Sequence, residues 1–303
     1  MKYILLFVFL SLQCNCQPWL FYNVENLFDT ILDKGFHNEE FTPFGAKKYN
    51  SIKYRMCIRQ SSRAIHALSK SGFISPIIAL CEIENRSVLE DLIQHTAMKK
   101  LGPWGIVHYD SPDYRGIDCA VLYKSNEIEI VDSDRIRYSS DSLLTRDALF
   151  VRYEIDSNFY NLIVVHLPSK RGGATSSAWK REYAWNFISS ALDTCKDPTI
   201  LMGDFNDLVR NKLLKYFQDH WTIALPREDA QGSYKYHGRW SIIDGAVANF
   251  NVCSEICDLP LLQEIDTKWG NLKPKRRWLG SFFKYGYSDH LPVYFSAALC
   301  KIK

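Results

Sequence analysis

The chain has almost no net charge, no linker-like stretch and, beyond its first residues, no long hydrophobic run. Its 37 lysines and arginines stand against 34 aspartates and glutamates, so attraction to a polyanion is weak overall and any steering has to be local. No later segment is apolar enough to span a bilayer, so a soluble mature protein without stable membrane insertion is expected. No Pro/Gly/Ser stretch divides the chain and no internal repeat is visible, which makes a single domain over residues 17–303 the expectation. No Cys/His spacing resembles a structural zinc site.

The opening residues form a separate unit. Met1 and Lys2 precede an apolar stretch from Tyr3 to Leu12, too short to cross a bilayer but suited to the hydrophobic region of a signal peptide. Cys14 and Cys16 fit the small residues wanted before a cleavage site. A signal peptide over 1–16 puts Gln17 at the mature N-terminus and predicts a secreted or periplasmic protein; a first buried strand is the other reading. The nine cysteines do not require a disulfide framework, because a domain of this length needs no staples. Cys81 and Cys119 lie in apolar runs and read as buried free thiols. Cys253 and Cys257 are close enough to pair, but loss of Cys14 and Cys16 leaves an odd number, so at least one thiol stays free.

Strands and helices alternate. Short apolar runs predict strands at Trp19 to Val24, Ile77 to Ile83, Cys119 to Tyr123, Asn161 to His166, Thr199 to Met202, Ile242 to Ala248 and Leu291 to Ser296. Helices are expected at Lys47 to Lys70, stopped by Gly72, at Ser87 to Leu101 with a Ser87/Glu90 capping box, at Thr175 to Cys195 and at Leu208 to Gln218. Such alternation favours an α/β layered fold.

Five acidic or amide-rich strings lie directly after or inside runs that read as buried strands: FYNVEN, ALCEIEN, LMGDFND, SIIDGA and YSDHLP. Carboxylates at the rim of an apolar core are costly unless a cation or hydrogen bonds compensate them, and a divalent metal site is the economical explanation. Glu82 alternates with apolar neighbours and Glu84 lies two residues on, on the same face. Asn23 and Glu25, again two apart, project from one face of the first strand, as metal-site residues or as a solvent-facing stripe. Gly203 lets the backbone turn so that Asp204 and Asn206 project from the rim; a simple Asp/Asn turn fits as well. Asp289, His290 and Asp244 supply a possible carboxylate-imidazole pair. His166 ends a strand ahead of the cationic glycine loop PSKRGG. The segment from Lys268 to Lys284 has six basic residues, no acid and four large aromatics. That composition suits a polyanion with exposed bases, although a solvated loop on a packed base accounts for it equally. GSYKYHGRW, at 232–240, either shapes a cleft or forms a hairpin, and Asn85-Arg86-Ser87 matches a glycosylation sequon but reads as a helix cap.

In order, NVEN, CEIEN, SPDYRGIDCAVLY, TRDALFV, HLPSKRGG, GDFND, IIDGA and SDHLPV resemble the endonuclease/exonuclease/phosphatase superfamily, and RGID, PSKRGG and GDFND look most like its secreted or periplasmic bacterial branch. Leu167 stands where that branch often has tryptophan. The resemblance implies a four-layer α/β/β/α sandwich of two mixed β-sheets flanked by helices. It implies Glu82 as principal metal ligand, with Asn23, Glu25 and Asp289 around the same cation, Mg2+ or Mn2+, as one ion or two. Asp204 would deprotonate the attacking water and Asn206 contact the scissile phosphate. Asp244 would orient His290, and His166 would lie near the leaving group or phosphate. Arg115 and Arg146 match substrate-facing positions, and Lys170 and Arg171 of the glycine loop are expected to bind substrate. The implied activity is metal-dependent phosphodiester hydrolysis, favoured as a secreted endonuclease acting on nucleic acid. A phosphomonoesterase or a lipid or sugar-phosphate phosphodiesterase is the alternative. A non-catalytic binding protein would require a damaged catalytic string, and none is damaged. The oligomeric state is not legible, with a monomer the simplest expectation.

Overall fold

The computed structural model describes residues 17–140, 143–208, 221–224, 226 and 230–297. The expected signal peptide over 1–16 lies outside the described residues, as does the expected helix beyond Leu208. In chain order, β1 (Pro18–Leu27) is followed by α1 (Ser51–Lys70), β2 (Ile77–Ile83), α2 (Arg86–Gln94), the single turn α3 (Thr96–Lys99), β3 (Trp104–His108) and β4 (Asp118–Lys124). Then come β5 (Glu129–Ile136), β6 (Ala148–Ile155), β7 (Asn158–His166), α4 (Ala178–Leu192), β8 (Thr199–Asp204) and β9 (Thr222–Ala224). The hairpin of β10 (Tyr234–Tyr236) and β11 (Arg239–Ser241) precedes β12 (Asp244–Ala248) and β13 (Cys253–Ile256). Last are β14 (Gln263–Ile265), β15 (Leu272–Pro274), β16 (Trp278–Leu279), β17 (Phe282–Phe283) and β18 (Val293–Ser296).

Two six-stranded mixed sheets carry the fold, in the orders β13-β18-β1-β2-β4-β3 and β5-β6-β7-β8-β12-β9. Strand periodicity of two decides what each face buries. Trp19, Phe21, Ile77 and Ala79 of the first sheet meet Leu162, Val164, Ile200, Met202 and Ala246 of the second in one core. The alternate residues Leu20, Tyr22, Ile78 and Leu80 pack outward on Ile65 and Leu68 of α1 and Leu89 of α2. On the far side Ile163, Val165, Leu201 and Val247 pack on Ala184, Trp185 and Ile188 of α4. Each such large side chain contributes about 1.5–3 kcal/mol when fully buried, so both faces of both sheets are committed. The outcome is the four-layer sandwich expected.

Three local expectations differ. The helix expected over Ser87 to Leu101 breaks at His95, whose extended backbone ends α2 and whose Nδ1 accepts the Ala97 N–H. Its cap is Asn85 rather than Ser87, the Asn85 side chain accepting from Val88 N–H at 3.0 Å. Helix α1 starts at Ser51 because Asn50, extended in its backbone, caps it by accepting the Lys53 N–H; Lys47 lies outside the helix and reaches to the Gly280 carbonyl. Cys81 and Cys119 are buried free thiols opposite one another across β2 and β4. Cys57, Cys195 and Cys257 are also free, so Cys253, which is disulfide-bonded, does not pair with Cys257. No helix among the described residues is long and apolar enough to cross a membrane.

Candidate active site

Three neighbouring strands of the second sheet end in polar residues that share a face. On β7 the inward series runs Leu162, Val164, His166; on β8 it runs Ile200, Met202, Asp204; on β12 Ala248 and Ala246 lead back to Asp244. Register sets His166 opposite Asp204 and Asp204 opposite Asp244, so one row of the pleat carries all three at the end of the inter-sheet core. Gly203 is not the turn that its sequence context suggested. It lies inside β8, where an added Cβ would fall 1.9 Å from the Val165 carbonyl oxygen, and close strand approach is what excludes a side chain there. The chain turns later, at Asn206, with φ 49°.

The first sheet answers from the opposite layer. Asn23 follows Trp19 and Phe21 on the inward face of β1. Strict alternation would send Glu82 outward after Ile78 and Leu80, but a bulge interrupts the β2–β4 ladder between Cys81 and Ile83, and Glu82 adopts φ 64°. That kink turns its carboxylate to the seam, where Oε2 accepts the Asn26 N–H at 2.8 Å and Oε1 lies 3.9 Å from His166 Nε2. A non-glycine residue in the left-handed region costs free energy, and here it delivers a carboxylate to the site. Glu84 consequently does not share the face of Glu82. It instead accepts from Asn38 Nδ2 at 2.8 Å and from the Asp29 N–H, tying down the loop after β1.

Two expected metal ligands are engaged elsewhere. Asn23 donates from Nδ2 to Asp204 Oδ2 at 3.1 Å and accepts the Glu25 N–H at 3.0 Å; it aims Asp204 rather than presenting a ligand oxygen to a cation. Glu25, turned by φ 48°, buries its carboxylate on the backbone N–H groups of Arg277 and Trp278. The alternation assumed for Asn23 and Glu25 fails because β1 leaves regular geometry between Asn23 and Leu27.

His290 Nδ1 lies 2.8 Å from Asp244 Oδ2, and its Nε2 lies 3.7 Å from Asp204 Oδ2. Burial opposes the imidazolium, yet the carboxylates of Asp244, Asp204 and Asp289 outweigh it and hold His290 well above the ordinary histidine range. His166 behaves oppositely. Burial, then Arg146, Arg115 and His290, push it well below that range, so it is a neutral imidazole 3.6 Å from Asp204 Oδ2. Burial, seconded by Asp244, raises Asp204 to about 7. Its Oδ1 accepts the Asn206 N–H at 2.8 Å. One carboxylate therefore faces a charged imidazole on one side and a neutral one on the other.

These groups open into a cleft of about 560 Å³ lined by Glu82, Asp289, His166, Asp204, Asn206 and His290. Arg115, Lys170 and Arg171 also line it, as expected of substrate-binding cations, with Lys170 paired to Asp207 at 3.0 Å. Arg146 does not. Its guanidinium is buried, donating to Asp113 at 3.0 Å and to the His166 and Leu167 carbonyls at 3.1 and 2.8 Å. It clamps the end of β7 to the loop that carries Arg115. Asn206 donates one amide hydrogen to the Leu167 carbonyl at 2.9 Å, which leaves the second available to a ligand. The sequence reading missed Asn26 and Tyr234. Tyr234 lies over the His290 ring at 4.8 Å, and its place in GSYKYHGRW was the available signal, since that string both forms the β10–β11 hairpin and walls the cleft.

Asp204, Asp244 and His290 offer ligand atoms within 4.8 Å of one another, but there the His290 imidazolium already lies against both carboxylates. Glu82 and Asp289 are the better cation ligands. Glu82 has one N–H donor and neutral His166 for neighbours, and Asp289 lies 3.9 Å from Arg276 with the His290 imidazolium also in electrostatic reach. Carboxylates without thiolates suit Mg2+ or Mn2+. A second group, His108, Asp110 and Asp118, lies under the Arg115 loop, where Asp118 accepts from both the N–H and the hydroxyl of Ser111.

A four-layer sandwich places carboxylates and two imidazoles at the seam between its sheets. The chain belongs to the Endonuclease/Exonuclease/phosphatase family, which it matches over residues 19–299. Members of that family are typically metal-dependent hydrolases acting on phosphoesters. No curated protein matches the chain in sequence. Among solved structures, D. rerio TDP2 complexed with a single-strand DNA product aligns with a TM-score of 0.59 at 11% identity, covering 93% of this chain and 98% of that one. An endonuclease/exonuclease/phosphatase from Bacteroides vulgatus aligns with a TM-score of 0.56 at 12% identity, covering 93% and 98%. The catalytic domain of human Nocturnin with a bound sulfate anion aligns with a TM-score of 0.55 at 15% identity, covering 93% of each. At such identities the likeness establishes the fold.

Proposed function

We propose that the protein is a divalent-metal-dependent phosphodiester hydrolase, a secreted nuclease that cleaves polynucleotide by in-line attack of water on phosphorus. The observation that carries this reading is the junction of Asp204 with a cationic His290 on one side and neutral His166 on the other, beside the Glu82 and Asp289 carboxylates that line the same cleft. Asp204 receives the proton of the attacking water on Oδ2. Its elevated affinity for protons makes it a stronger base than a solvated carboxylate. The His290 imidazolium, kept charged by Asp244, faces the negative charge that grows on the phosphoryl oxygens. Asn206 orients one of those oxygens with its free amide hydrogen, and Arg115, Lys170 and Arg171 hold flanking phosphates. Glu82 and Asp289 would hold Mg2+ or Mn2+, which when bound neutralises phosphate oxygen and leaving-group charge. Polynucleotide is favoured as the substrate by the cationic rim, and a secreted or periplasmic location by the apolar opening stretch and the bonded Cys253.

The test is hydrolysis of bis(p-nitrophenyl) phosphate, p-nitrophenyl phosphate and plasmid DNA with Mg2+, Mn2+ or EDTA. The diester and the DNA are expected to be cleaved with either cation and not with EDTA. Cleavage of the monoester alone would contradict the nuclease reading, and EDTA-resistant turnover would contradict the metal.

A further inference from the structure

Next to the catalytic cleft lies a second pocket of about 240 Å³ whose lining includes Tyr236, Gly238, Lys268, Trp269, Lys273 and Arg276. The two adjoin. Tyr236 lines both, and Arg276 reaches to 3.9 Å from Asp289 of the cleft. The structure divides the basic aromatic segment from Lys268 to Lys284 in two. Arg277 and Trp278 are buried with the Glu25 carboxylate, whereas Trp269 remains 49% exposed and Tyr236 63%.

Trp269 is exposed and yet held. Gly238, at φ +78°, lies so close that an added Cβ would come within 2.7 Å of the indole, so the β10–β11 turn supports one side of the ring. The Lys268 ammonium lies 5.3 Å from its centroid, and the Trp269 backbone N–H donates to the Asp266 carbonyl at 3.1 Å. The lining holds four lysines and arginines, with Lys235 as the fourth, against Asp266 as its one carboxylate; Asp266 faces Lys235 and Lys273, Glu264 also faces Lys273 and Asp289 faces Arg276, so the surroundings keep a small positive excess. A half-free aromatic face braced from behind and ringed by excess positive charge fits a planar base with a phosphate attached. A duplex keeps its base faces stacked internally and cannot offer one.

We propose that this pocket is a nucleotide subsite that stacks one unpaired base of a single-stranded nucleic acid on Trp269. Lys268, Lys273 and Arg276 hold the adjoining phosphate while the neighbouring phosphodiester occupies the catalytic cleft. The proposal rests on the phosphodiesterase reading and adds to it a strand preference and a binding path.

The experiment compares kcat/KM of the full chain and its Trp269→Ala, Trp269→Phe and Lys268→Ala/Lys273→Ala variants on three substrates. These are a quenched single-stranded oligonucleotide of about 12 nucleotides, the same sequence as a duplex, and bis(p-nitrophenyl) phosphate. Trp269→Ala is expected to lower kcat/KM on the single strand by about 5- to 100-fold, chiefly through KM, with the diester dye unaffected. Trp269→Phe should retain most of the activity, and the double lysine variant should flatten the salt dependence of KM on the single strand. Unchanged single-strand kinetics in Trp269→Ala, an equal loss on duplex, or a parallel loss on the dye would each overturn the subsite while leaving phosphodiester hydrolysis intact. Failure of the unsubstituted protein to cleave any of the three would overturn the phosphodiesterase reading itself, and the subsite with it.

Discussion

Asp204→Ala is expected to lower phosphodiester turnover by about 10²- to 10⁴-fold, the usual worth of a general base, with kcat rather than KM taking the loss. Asp204 is held by Asn23 and by the Asn206 N–H between two imidazoles, so its removal takes away a carboxylate that faces both. Asp204→Asn preserves the shape and should lose activity to the same order, which separates chemistry from packing. Because burial raises this carboxyl to about 7, and the base works only when deprotonated, kcat/KM of the unsubstituted protein should fall as pH drops through that value. The limb should vanish in either variant. Pre-steady-state and pH-profile measurements with unchanged far-UV circular dichroism check this. Comparable turnover by a folded Asp204→Asn protein would exclude the role.

Arg146→Met is expected to cost about 3–5 kcal/mol of stability, since it strands the buried Asp113 carboxylate and removes donors from two buried carbonyls. For a chain of this size class that is a fall in Tm on the order of 10 °C. Arg115→Ala should behave differently. Its side chain is 31% exposed at the cleft, so stability should hold while KM for phosphodiesters rises. Thermal denaturation and steady-state kinetics on both variants decide the matter, and an Arg146→Met protein with native Tm but raised KM would restore Arg146 to the substrate.

That contrast also marks what the sequence could and could not tell. His166 and Asp204 were legible because each follows an apolar run and Asp244 because it interrupts one, and strand ends of an α/β sheet collect at one rim. Which neighbour consumes each polar atom was not legible. TRDALFV gives no sign that its arginine is closed on Asp113 and two carbonyls, and NVEN gives none that Asn23 meets a carboxylate 181 positions away. Glu82 was identified as a site residue, but the assumed alternation would have turned it outward; the bulge with φ 64° supplies what the pattern lacked. The polar edge strand β5 has no apolar run, and β6 carries arginine and glutamate in its second half, so both escape a reading based on hydrophobic stretches. The basic aromatic segment was visible as composition, but only packing separates Trp269, half free, from Trp278, which lies in the core.

The proposed hydrolysis requires Glu82 and Asp289 to form, with the Asp204 and His290 cluster, one cation-binding cleft between the two sheets. Calorimetric titration of Mn2+ into the metal-free protein and its Glu82→Gln variant tests this most directly. The account predicts saturable binding to the unsubstituted protein, weakened in Glu82→Gln by more than about 10-fold, the lower end of what loss of a merely supporting partner costs. Equal Mn2+ affinity in the two proteins, both folded, would contradict it.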